Sequence, residues 1–150
     1  MSVAPSYWGK APGVNPMSSS RDELEAAYWA TDYRVDDAPG GPFVIRIGEC
    51  CDRLAGAEWA FVTACNPRSV CLSDEENARR TAELDAAVGE RGWTVYRGHG
   101  VGRDGTWPPE PSLLIVGIAE ADALGLAKRF GQNAIVAGRA GGPARLVWVG

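Results

Sequence analysis

Glu110 stands between Pro109 and Pro111, immediately ahead of the apolar run 112–118. A carboxylate stiffened on both sides and leading into a buried strand is placed to lose water, which suits it to give or take a proton. His99, the single histidine of the chain, precedes it in a glycine-rich stretch and is its candidate partner. One histidine builds no His-based metal site, and no cofactor is implied. The plain alternative for Glu110 is a hydrogen-bond anchor for the 66–72 loop.

A second set of residues is suited to hold a ligand. Thr63, Asn66, Ser69, Asn77, Ser112, Gln132 and Asn133 carry hydroxyl or amide groups, and Arg80 and Arg103 carry positive charge. Such a set fits a polar or anionic small molecule, nucleotide-like in its demands. Each member also has a structural reading: Arg80 would equally pair with Glu76 or Glu83, and Gln132 and Asn133 would equally satisfy strand-end groups. The Gly98-His-Gly-Val-Gly102 run follows a strand but opens no helix, so a dinucleotide fingerprint fails on context. It reads instead as a mobile flap or a close backbone approach. Nothing in the spacing of Cys65 and Cys71 sets a cysteine–histidine pair with His99.

The elements that must position these residues follow from caps and periodicity. Ser20-Arg-Asp-Glu23 has capping-box form and opens a helix over about 21–31, with Leu24, Ala27, Tyr28 and Thr31 on its apolar face. Residues 43–47 read as a strand and 49–56 as a short helix. The run 59–65 is a strand ended by Asn66-Pro67, since a residue before proline is pushed out of helical geometry. A second capping signal, Ser73 to Glu76, opens a helix that runs to Arg91, with Ala78, Ala82, Leu84, Ala87 and Val88 as its apolar stripe and Gly92 as its stop. Strands at 93–97 and 112–118 enclose a loop, 98–111, too long for a hairpin alone. A helix over 120–130 and strands at 134–137 and 145–149 complete the chain.

From 59 to 137 the order is β-α-β-β-α-β, which predicts an α+β two-layer sandwich with a ferredoxin-like core. An N-terminal helix, an extra strand at 43–47 and a C-terminal strand at 145–149 would extend it. That topology sets the strand at 59–65 antiparallel beside the strand at 112–118 and gathers the 63–69, 73–80, 99–112 and 132–133 segments at one rim. Residues 1–19, with three prolines and no periodicity, read as an extended or flexible arm before a single domain over 20–150.

Composition sets the outer bounds. The 150 residues are 45% hydrophobic and 23% charged, ordinary values for a globular chain, and Lys+Arg 15 against Asp+Glu 19 gives a net charge of -4. That sign opposes wrapping a phosphate backbone, so nucleic acid is not an expected partner. No apolar run approaches bilayer length, so neither is a membrane. Four cysteines without a CxxC pair read as reduced thiols in the cytoplasm.

Taken together, Tyr28-x-x-Thr31-x-Tyr33, Ile45-Arg-Ile-Gly48, Thr63-Ala-Cys-Asn-Pro67, Glu76-Asn77 with Arg80, Glu110-x-Ser112 and Gly131-Gln-Asn-Ala134 resemble the DUF3293 family of bacterial proteins, over about 20–149. Against that pattern, Cys65 stands where tryptophan is expected and Pro109 where glutamate is. The family carries no assigned activity, so the resemblance implies a domain and no reaction. Three functions remain in view: a small-molecule binder, a small hydrolase or transferase using Glu110 and His99, and an interaction module. The last would engage a protein partner or a second copy through Tyr7 and Trp8 or through the edge strand at 145–149.

Overall fold

A computed structural model describes residues 20–54, 56–105 and 108–150; Tyr7 and Trp8 lie outside them. Helix α1 (Arg21–Trp29) opens on a complete capping box, in which Ser20 Oγ accepts the Glu23 N–H and the Glu23 carboxylate accepts the Ser20 N–H. It stops short of Thr31 because Thr31–Val35 is a strand, β1, that sequence reading missed. Thr31, Tyr33 and Val35 turn one face inward and Arg34 is exposed on the other, where Asp32 is covered by Arg46 and Arg103.

Strand β2 (Phe43–Ile45) pairs with β1, and a 3-10 turn at Asp52–Leu54 replaces the expected short helix. Next come β3 (Trp59–Thr63), α2 (Asp74–Gly89), β4 (Thr94–Gly102), β5 (Glu110–Val116), α3 (Glu120–Arg129), β6 (Ala134–Gly138) and β7 (Arg145–Trp148). All neighbours are antiparallel, in the order β2-β1-β4-β5-β3-β6-β7. The expected adjacency of the two central strands holds, with Thr63 opposite Ser112.

The glycine-rich run was expected to be loop, but residues 98–102 extend β4 and pair with β1 on one side. Gly98 is there because two backbones meet: a Cβ on it would stand 2.1 Å from the Arg34 carbonyl oxygen and 3.1 Å from the Phe61 ring. The run is therefore a close approach and not a flap.

The sheet is curled into a half-barrel. Beyond its two edge strands, Gly48 N–H donates to the Ala144 carbonyl and Ala144 N–H to the Glu49 carbonyl, at 2.8 and 3.0 Å. One face packs Ala60, Val62, Leu113, Ile115 and Ile135 against Leu84 and Val88 of α2 and Ala123 and Ala127 of α3. The opposite face packs Tyr33, Ile45, Phe61, Leu114 and Val136 around Trp59, with Tyr28 of α1 against them. Ala78 and Ala82, expected in the buried stripe of α2, are exposed. The C-terminal half of that helix, through Leu84, Ala87 and Val88, is what meets the sheet. No helix among the described residues is long and apolar enough to cross a membrane.

Candidate functional site

The rim is built around Asn66. Its backbone takes left-handed angles, φ 47° and ψ 62°, just before Pro67, so β3 ends and the chain turns sharply. Asparagine tolerates that conformation better than other side-chain-bearing residues. Here its amide also fixes the turn: Nδ2 donates to Glu110 Oε2 at 2.6 Å, while Oδ1 accepts from Leu72 N–H and from Asn77 Nδ2, each at 2.9 Å. Asn77 returns its own Oδ1 to the Asn66 N–H. Asn66 and Glu110 are 8% and 7% exposed, so the network lies out of bulk water, where a satisfied polar cluster rigidifies its surroundings.

Arg68 and Ser69 also have positive φ, 56° and 62°, and are held from outside: Arg68 N–H donates to the Gly131 carbonyl and Asn133 Nδ2 donates to Ser69 Oγ. Gln132 Nε2 donates to the Cys65 carbonyl. Thr63 Oγ1 donates to the Pro111 carbonyl and accepts from Cys65 N–H, and Ser112 Oγ donates to the Glu110 carbonyl. Asn66, Glu110 and Gln132, from three distant stretches of sequence, thus meet at one rim. Their polar groups are largely occupied by the chain itself.

The two arginines expected to supply charge are engaged elsewhere. Arg80 donates from Nε to the Ala64 carbonyl and from Nη2 to the Phe130 carbonyl, tying β3 to the end of α3. Arg103 donates to Asp32 and to the Trp29 carbonyl. His99 does not join Glu110. It pairs across the strands with Pro111 while Glu110 pairs with Gly100, so the two side chains leave opposite faces of the sheet. The His99 ring shares a 2.7 Å hydrogen bond with Asp36. Of the edge strand at 145–149, Trp148 is covered by Tyr28, edge-on at 5.8 Å, and by the Arg21 guanidinium.

On the other side of the 66–72 loop a cleft of about 510 Å³ opens between α2 and the Pro108–Pro111 segment. Asn66, Asn77 and Glu110 line it, with Cys65 and Cys71 nearby. Its charged lining residues are Asp74, Asp85 and Glu110, and no basic residue is in the described lining. The anionic ligand expected from Arg80 and Arg103 is therefore the wrong sign for this cleft.

Burial pushes the Cys65 thiol up, as it does Cys71, where Glu110 and Asp74 add to the effect. Neither has the lowered pKa of an activated nucleophile. Burial, with Glu110 next, also pushes the Tyr28 phenol far up, and Tyr33 donates to the Tyr28 carbonyl. Sequence reading did not count Tyr28, Asp74 or Asp85 as site residues. The acidic pair had a signal, since 74, 78, 82 and 85 share one helical face with alanines between. No group of three or more metal-ligating side chains is assembled among the described residues.

No curated protein and no solved structure matches the chain. The model of the family DUF3293, described as "Protein of unknown function", matches residues 62–135. This span holds the Thr63–Pro67, Glu76–Arg80, Glu110–Ser112 and Gly131–Ala134 motifs, which are the ones that meet at the rim; the Tyr28–Tyr33 and Ile45–Gly48 motifs lie outside it. The match over residues 62–135 supports the assignment of the chain to the DUF3293 family.

Proposed function

We propose that this chain binds a small polar molecule in the cleft between α2 and the Pro108–Pro111 segment. The observation that carries the reading is the cleft of about 510 Å³ whose wall presents Asn66, Asn77 and Glu110, with Asn66 bonded to both of the others. A side chain so held keeps one orientation, and an orientation fixed before binding lowers the entropy cost of recognition. The charge of the lining favours neutral or cationic ligands, and the nucleotide-like expectation is set aside. Behind the cleft, the β4-β5-β3-β6 order with α2 and α3 against one face supports a ferredoxin-like unit within the larger sheet. Exposed thiols at Cys50 and Cys71 suit a reducing, cytoplasmic setting.

A metabolite screen read by amide NMR shifts tests the reading. Hits should move the amides of Asn77, Ala78 and Thr81 and should be lost in Ala82→Trp, which fills the cleft from an exposed helix position. Hits that ignore that substitution, or that move none of these amides, would sink it.

A second reading, an enzyme of hydrolase or transferase type, is favoured by Glu110 being 7% exposed and yet lining the cleft. There Glu110 acts as general acid or base without His99. Glu110→Gln should then abolish turnover while melting within a few degrees of the parent; turnover that survives the substitution removes the carboxylate from the chemistry.

A further inference from the structure

The cleft is longer than it is polar. Asp74, Ala78, Ala82 and Asp85 follow one face of α2 at spacings of four, four and three residues, so they form a single row. At 1.5 Å of rise per residue the row spans about 16 Å. Its two ends are carboxylates and its middle is methyl groups. Facing it, Pro108, Pro109 and Pro111 offer no N–H donor and present ring carbons instead. Glu110 adds one negative charge from that opposite wall.

We infer that this groove takes a linear aliphatic polyamine, with its terminal ammonium groups on Asp74 and Asp85 and its methylene chain against Ala78, Ala82 and the prolines. The inference rests on the proposed function and names the ligand class of the same cleft. Charge complementarity selects a cation, because no basic residue is in the described lining. The separated carboxylates select a ligand charged at both ends. A sugar or other polyol would need donors and acceptors along its length; the row supplies alanine methyls and proline rings, and the nearby Asn66 and Asn77 amides and Thr81 hydroxyl already bond within the chain. An extended chain reaches about 1.2 Å per bond, so a span of roughly 16 Å calls for about 13 bonds, the length of a tetraamine. Asp85 already receives Arg97 Nη1 at 3.2 Å on both oxygens, but Arg97 is 62% exposed and a carboxylate has about four acceptor positions, leaving room for an ammonium.

The full chain is titrated with spermine, with tetraethylene glycol as an uncharged chain of similar length, and with inorganic pyrophosphate, each followed by amide NMR and calorimetry. Spermine should move the amides along 74–85, and Asp74→Asn and Asp85→Asn should each weaken it about fivefold, as expected for partly exposed charge pairs. Arg97→Ala should strengthen binding about twofold by releasing Asp85. Circular dichroism confirms that each variant keeps its helices. Spermine shifts scattered over the surface and indifferent to both aspartates would overturn the polyamine inference. If the glycol moves the 74–85 amides and spermine does not, the polyamine class falls and small-molecule binding in the cleft stands. If pyrophosphate alone moves them, the charge argument itself is wrong. Silence from all three probes, together with a metabolite screen that leaves the cleft amides still, would overturn both readings.

Discussion

Asn66 donates from Nδ2 to Oε2 of Glu110 across 2.6 Å, joining the end of β3 to the start of β5 inside the protein. Because the same side chain also accepts from Leu72 and Asn77, one amide holds the left-handed turn, the loop after it and the first turns of α2. Asn66→Ala should cost about 2–4 kcal/mol, since it deletes a bond to a charged group, leaves buried partners unsatisfied and puts alanine at a positive φ. Asn66→Gly relieves the backbone part and should recover roughly 1 kcal/mol of that loss. Chemical denaturation of the two variants checks the difference; equal stabilities would mean that the turn carries no strain.

Asp32 sets a pH dependence. Burial alone would raise its carboxyl, but hydrogen bonds from Arg46 and Arg103 outweigh it and hold the group below the usual carboxylate range. A carboxyl that is more acidic folded than unfolded stabilises the protein above about pH 4 and loses that contribution as pH falls through its lower folded value. The stability gap between parent and Asp32→Asn should therefore be widest near neutrality and close on acidification. A gap of the same size at pH 7 and pH 3 would contradict the assignment.

The thiols should react in order. Cys50 is exposed, Cys71 is exposed but its thiol is raised by burial, Glu110 and Asp74, and Cys65 is buried and raised as well. Alkylation near neutral pH, followed by peptide mass spectrometry, should label Cys50 first, Cys71 more slowly and Cys65 only on unfolding. Early labelling of Cys65 would show that the wall behind the cleft opens readily.

Two glycines should answer oppositely to alanine. A Cβ at Gly138 would come within 2.5 Å of the Trp59 ring, so Gly138→Ala should destabilise by about 1–3 kcal/mol through overpacking. Gly125 lies inside α3 with nothing within 4 Å of a new Cβ, so Gly125→Ala should stabilise by roughly 0.5–1 kcal/mol. Thermal melts of both read the signs directly.

The helices were readable because their ends are chemical. Ser20 with Glu23, and Ser73 with Glu76, satisfy amides within one turn, and Gly92 and Gly131 take the positive φ that stops a helix. Strand β1 was not readable: Thr31 continues the three-and-four spacing of α1, and only pairing with β2 and β4 turns Thr31–Val35 into sheet. The extension of β4 through Gly98 to Gly102 was hidden for a similar reason. Glycine signals a loop locally, and the close passage of the Arg34 carbonyl is a fact about another strand.

The rim was legible as a meeting of segments, because the order of elements fixes which strand ends adjoin. Its chemistry was not. Whether Arg80 faces a ligand or two backbone carbonyls, and whether His99 meets Glu110 or Asp36, depends on register and on which face of the sheet each residue leaves. The caps, the stops, the order of elements and the convergence of Asn66, Glu110 and Gln132 are written in neighbouring residues, since they follow from local hydrogen bonding and short connections. The sign of the cleft came from packing between segments, which engages Arg80 with two backbone carbonyls, draws Arg103 to Asp32 and leaves Asp74 and Asp85 along one face of α2. Charge placement is a property of packing, and packing is settled between segments rather than within them.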